Sequence, residues 1–141
     1  MKKVTIIYYS NMGNVEVLAN SIAKGASEAG AQVALKLVSE ATPEDVLNSD
    51  AVAFGSTSMD NNRIEQKELA PFLKEVRLLA VGDKPVVIFG SYGWDRGEFM
   101  LNWQEYMSKE KFNVVGTLAV KETPSNEELE KAEALGKLLA Q

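Results

Sequence analysis

The sequence predicts one α/β domain over residues 1–141, a doubly wound five-stranded parallel sheet in the order 2-1-3-4-5 with helices on both faces. Three observations lead there. Short, continuous apolar runs alternate with segments of helical period, the pattern of βαβ units whose strands are buried on both faces. Three of those runs enter loops of small hydroxyl residues and glycine: residues 4–9 into Ser10-Asn11-Met12-Gly13-Asn14, residues 51–54 into Gly55-Ser56-Thr57-Ser58-Met59, and residues 85–89 into Gly90-Ser91-Tyr92-Gly93-Trp94. In a parallel sheet these are carboxyl ends, so all three loops leave from the edge where ligands bind. A crevice at strands one and three then selects the order 2-1-3-4-5.

Element by element, strand one is expected at residues 3–9 and helix one at 14–29, stopped by Gly30. Strand two covers residues 32–38, and a short helix at 42–47 opens with Thr42 as N-cap and Pro43 in its first turn. Strand three is read at 51–55, helix three at 64–79, strand four at 85–90, helix four at 97–109 and strand five at 113–120. Phe99, Trp103 and Met107 share a face of helix four. Helix five spans 125–140: Ser125-Asn126-Glu127-Glu128 resembles a capping box, and Leu129, Ala132, Leu135 and Leu139 follow on one face.

Composition narrows the chemistry. The 141 residues have the length of one domain, and 45% hydrophobic residues fill one core. No apolar run approaches the roughly 20 residues of a membrane span, and Lys2-Lys3 leads into a strand rather than a signal sequence. A soluble, cytoplasmic protein is expected. Cysteine and histidine are absent, which excludes disulfides, thiolate nucleophiles, Cys/His metal sites and imidazole acid–base catalysis. Chemistry therefore falls to a bound cofactor. A net charge of −5 opposes nucleic-acid binding and suits docking with basic protein partners.

The first loop ends at Gly13-Asn14 where a helix begins, so backbone N–H groups and the helix dipole can hold an anion such as phosphate. Ser10 and Asn11 add side-chain donors, and Thr57 and Ser91 approach from neighbouring strand ends. Taken alone, residues 10–14 read more readily as a tight strand-to-helix turn. The fourth-strand loop tips the balance: it repeats the chemistry and places Tyr92 and Trp94 between Gly90 and Gly97, where the backbone can approach a ligand closely. Trp94, beside Asp95 and Arg96, is expected to be partly exposed, and Trp103 to be core. Met59 would suit the face of a flat ring opposite Trp94.

On these residues, above all Gly90-Ser91-Tyr92-Gly93-Trp94 with Gly97, the chain resembles a short-chain, clostridial-type flavodoxin along essentially its whole length. Strand five lacks the insertion of the long-chain branch. The resemblance implies a monomeric, flavodoxin-like electron carrier with non-covalent FMN and no catalytic residue or metal. Residues 10–15, that is Ser10, Asn11, Met12, Gly13, Asn14 and Val15, would form the phosphate loop, joined by Thr57 and Ser91. Met59 and Trp94 would flank the ring. Ser58, Asp60, Asn61 and Asn62 would pass along its edge, Tyr92 and Gly93 would hold its pyrimidine side, and Gly97 closes the motif. Redox partners would dock at the flavin edge through the acidic surface.

Two departures qualify the resemblance. Met12 and Val15 stand where the family's phosphate loop usually has hydroxyls, and a lost charge-assisted hydrogen bond costs about 1.5–3 kcal/mol. Weaker FMN binding is implied. Asp60 stands where glycine is common, in a loop that turns over on flavin reduction. Three other functions compete. An FMN-dependent NAD(P)H or quinone reductase needs room beside the ring that a stacked Trp94 would block. A phospho-acceptor receiver needs strand-end carboxylates for magnesium, which Tyr9-Ser10-Asn11 and Gly55-Ser56-Thr57 lack. A degenerate relative without FMN fits the altered phosphate loop.

Overall fold

Alternation along the strands buries both faces of one parallel sheet. The computed structural model describes residues 1–10, 13–79, 81–94 and 96–141, with the side chain of Asp60 outside the description. Its strands are β1 (Lys3–Tyr8), β2 (Gln32–Leu37), β3 (Ala51–Thr57), β4 (Pro85–Tyr92) and β5 (Asn113–Lys121). They run in the order β2-β1-β3-β4-β5, as the crevice argument required. The helices are α1 (Asn14–Glu28), α2 (Pro43–Leu47), α3 (Leu69–Val76), α4 (Glu98–Lys109) and α5 (Asn126–Leu139). Ile7, Val52, Phe54, Val86 and Ile88 point to the face covered by α3 and α4, where Phe72, Phe99 and Trp103 complete the core. Val4, Ile6, Ala53, Val87 and Phe89 point to the other face, against α1 and α5.

Two glycines set the α1–α5 contact. A Cβ on Gly25 would strike the Glu133 carbonyl oxygen, and one on Gly136 would strike that of Ile22. The two backbones therefore touch through a reciprocal pair of missing side chains. Gly30 ends α1 in the left-handed region at φ 94°. Ser125 Oγ accepts from the Glu128 N–H at 3.2 Å and Glu128 Oε1 from the Ser125 N–H at 2.9 Å, the expected capping box.

Helix three departs from expectation: it starts at Leu69 rather than residue 64. Glu65, buried to 3% exposure, is the reason: its carboxylate accepts N–H bonds from Lys67, Glu68 and Leu69 at 2.7–2.8 Å. Those donors are the orphans of a helix start, so Glu65 caps the helix from outside. The late start also puts Pro71 in the first turn, where its missing N–H costs nothing. Smaller shifts occur elsewhere. β3 and β4 run two residues further than expected, to Thr57 and Tyr92, because Thr57 pairs with Ser91 and Tyr92 with Lys121 of β5. Gly97 is the N-cap of α4 at φ 89°, not its first residue. β5 carries Val115 as an extra residue between the pairs Val86–Val114 and Val87–Gly116.

The glycine contact makes a direct prediction. Gly136→Ala should destabilise the fold by about 1–3 kcal/mol in denaturant unfolding, although alanine is the better helix former, because its methyl group meets backbone. A neutral or stabilised variant would show that α1 and α5 separate without cost.

Candidate functional site

Parallel register assembles the site at the carboxyl edge. Tyr8 pairs with Gly55, Thr57 with Ser91, and Tyr92 with Lys121, so the loops after β1, β3, β4 and β5 lie side by side. They enclose a cleft of about 440 Å³, lined among the described residues by Asn14, Val15, Thr57, Ser58, Met59, Ser91, Tyr92, Gly93, Trp94, Glu122 and Thr123. That volume lies within the roughly 300–1,000 Å³ of small-molecule sites.

One end of the cleft presents a helix N-terminus and hydroxyl groups. Gly13 caps α1 in the left-handed region at φ 89°, and among the described residues no side-chain hydrogen bond caps the helix N-terminus. The first-turn N–H groups and the positive end of the dipole meet the cleft at Asn14 and Val15. Ser10 Oγ accepts from the Gly13 N–H at 3.2 Å and so fixes the turn. Across from it, Thr57 Oγ1 is buried and finds no partner among the described residues. A buried hydroxyl left unpaired is costly, and a ligand oxygen at this position would satisfy it. Ser91 differs: its hydroxyl donates to the Glu122 carbonyl at 3.0 Å, so its proton is already engaged. Val15 is buried and offers only methyl groups. Behind the loop, Tyr8 donates to Glu16 at 3.0 Å; burial, reinforced by that carboxylate, pushes its phenol up to about 12.

The other end is apolar and open. Trp94 is fully exposed and Met59 is 37% exposed, both on the cleft, whereas Trp103 is 2% exposed within the α4 core. Tyr92 also lines the cleft, its ring tilted on Phe99 with centroids 6.3 Å apart. Gly93 has open space around its Cα. Asp60, Asn61 and Asn62 form a 3-10 turn beside Met59, closed by a 2.7 Å bond from the Met59 N–H to the Arg63 carbonyl.

Not every expected residue reaches the cleft. Ser10, Gly13, Asn61, Asn62 and Gly97 are not among its lining residues; Ser10 and Gly13 shape the turn behind it, and Gly97 lies against the Tyr92 ring. Asn11, Met12 and Asp95 lie outside the described residues, as does the Asp60 side chain. Sequence reasoning missed Glu122 and Thr123. Glu122 takes a left-handed conformation at φ 56°, and its N–H donates to the Tyr92 carbonyl at 2.7 Å. The signal available for it was position alone, since residues 122–123 leave the carboxyl end of a strand beside the site. Among the described residues no acidic or Cys/His group has metal-binding geometry, and no helix is long and apolar enough to cross a membrane.

Comparison with known proteins gives concordant results. A family model described as Flavodoxin matches residues 6–136. The chain is 34% identical over 135 residues to a flavodoxin of Clostridium beijerinckii, covering 96% of this chain and 97% of that one. It superposes with a TM-score of 0.89 on the solution structure of two-electron reduced Megasphaera elsdenii flavodoxin, at 32% identity, with 97% of this chain and 98% of that one covered. A shorter match, 54% over 46 residues, is to an NAD(P)H dehydrogenase (quinone) of Rhodopseudomonas palustris, and covers 33% of this chain and 23% of that one.

The two tryptophans test this division of site from core. Trp103→Ala should cost about 3–5 kcal/mol, read as a lower melting temperature, while Trp94→Ala should leave stability nearly unchanged. The reverse result would overturn the assignment.

Proposed function

The chain belongs to the flavodoxin family, and from that premise we propose that it is a low-potential electron carrier of the short-chain type, holding FMN non-covalently in the cleft at the strand ends. When bound, FMN supplies the redox chemistry, accepting and releasing electrons one at a time. The observation that carries the reading is the buried Thr57 hydroxyl, without a partner among the described residues, on the same cleft as the N-terminus of α1. A phosphate satisfies both at once.

The chain's own residues then have separate tasks. Ser10 holds the turn at Gly13, and Thr57 and the α1 N–H groups bind the phosphate without a cation. Met59 and Trp94 form the apolar walls for the ring and exclude water from it. Gly93 lets the backbone come close to the ring edge. Negative charge in and around the cleft, with Glu122 on its lining, opposes further negative charge on the cofactor and so favours a low potential. Partners would be redox proteins with basic faces that dock where Trp94 and Met59 are exposed. A reductase activity has less support, since the quinone-dehydrogenase match covers only a third of the chain.

Titration with FMN and with riboflavin, followed by flavin fluorescence quenching, tests the reading directly. FMN should bind at least about tenfold more tightly, because riboflavin leaves Thr57 and the helix N-terminus unpaired. Equal affinities would mean that this end of the cleft does not bind phosphate. Hydride transfer from NAD(P)H to the bound cofactor in stopped flow would favour the reductase.

Asp60 provides a second test, in a loop where glycine is common among relatives of this type. A left-handed or turned-over backbone costs a non-glycine residue about 1 kcal/mol, and an aspartate adds negative charge near the ring. Asp60→Gly should raise the midpoint potential for the first electron and change FMN affinity little. A potential that stays constant or falls would remove Asp60 from the redox machinery.

A further inference from the structure

The loop that carries Met59 to the cleft is strained. Asn61 and Asn62 are both left-handed, at φ 62° and 55°. Two consecutive non-glycine residues in that region persist only where their surroundings hold them. The bond from the Met59 N–H to the Arg63 carbonyl closes the loop on itself. One bond ties its tip to a helix: Asn102 Nδ2, on the exposed side of α4, donates to the Asn62 carbonyl oxygen at 3.1 Å. The turn also rests on α4, and Ile64 beyond it is buried in the core. A cavity of about 200 Å³, open to solvent, lies between, with Arg63 and Ile64 on one side and Phe99, Asn102, Trp103 and Tyr106 on the other.

We infer that Asn102 is a positioning residue: its hydrogen bond to the Asn62 carbonyl latches the loop of residues 60–62 and so keeps Met59 in place as a wall of the cofactor cleft. The assignment of donor and acceptor is chemically forced, since a carbonyl oxygen accepts only from the amide nitrogen of asparagine. Without the latch the two left-handed residues can relax over the cavity, and the Met59 wall is no longer preformed. Ordering it then falls on the ligand, which weakens binding. Water reaching the ring edge would also stabilise added negative charge on the cofactor. The part of this inference that concerns the ring rests on the FMN reading; the latch itself does not.

Asn102→Leu removes the donor and keeps the branched shape and heavy-atom count, and Gln104→Leu on the same helix serves as control. In cofactor-free protein, amide hydrogen exchange over residues 60–63 should quicken about fivefold in Asn102→Leu, the scale of one net hydrogen bond, with the strands unchanged. FMN affinity should fall by about the same factor, and the midpoint potential of the bound cofactor should rise. Gln104→Leu should change none of the three. Asn102→Asp, isosteric but unable to donate, should reproduce the faster exchange if the leucine variant folds poorly. Unchanged exchange in both Asn102 variants would overturn the latch. Faster exchange with wild-type affinity and potential would overturn its role at the cleft. If the unsubstituted protein took up no FMN, the flavodoxin reading would fall instead, and the exchange experiment would still decide the latch.

Discussion

The pairing of β3 with β4 is the constraint on which the site depends. Side chains alternate between faces with a period of two, so register decides the fate of every strand-end residue. Ser56 faces inward, where its oxygen accepts from the Glu65 N–H at 3.0 Å and helps to seat the start of α3. Thr57, one residue on and opposite Ser91, is left with its buried hydroxyl at the cleft. Slipping the pair by one residue would exchange these roles, removing both the support of α3 and the donor of the site. Gly90, opposite Ser56, shows how tightly the register is held: a Cβ there would strike the Ser56 carbonyl oxygen and the Phe99 ring.

Charge is distributed to the same end. Among the described residues the cleft lining includes no lysine or arginine, so an anion there depends on neutral donors and a helix dipole. Three cations elsewhere serve the scaffold instead. Lys84 Nζ gathers the carbonyls of Val46, Leu47 and Ser49 at the end of α2, and Lys36 and Arg77 pair with Asp45 and Glu110 at 3.1 and 2.9 Å. Glu122 stands on the cleft lining instead of a base. Such a cleft offers an anion directed donors and a helix dipole rather than net positive charge.

The sheet order and the carboxyl-edge site were legible in the sequence because they depend on period and chain order, which local residues encode. Trp94 and Trp103 were also separable, one beyond a strand end among polar residues and one at helical spacing from Phe99 and Met107. The start of α3 was not legible. Residues 64–68 carry helix-compatible residues, and only the tertiary fact that Glu65 is buried, with its carboxylate on three N–H groups, delays the helix start to Leu69. Pro71 held the local clue. Glu122 was illegible for a related reason: its place on the cleft follows from where β5 lies beside β4, and no motif marks it.

Strain follows function in this chain. Of the four non-glycine residues described at positive φ, Asn61 and Asn62 are in the loop beside Met59 and Glu122 is on the cleft lining; Lys111 alone is remote, in the turn before β5. Left-handed conformations cost energy that the scaffold must supply, and here the scaffold is the doubly buried sheet with α1 and α5 in backbone contact. Rigid strands set the positions of Thr57 and Ser91, while the left-handed residues lie in the loops that follow the strands. One end of the cleft is therefore fixed by strand register, and the other by loops held in costly conformations.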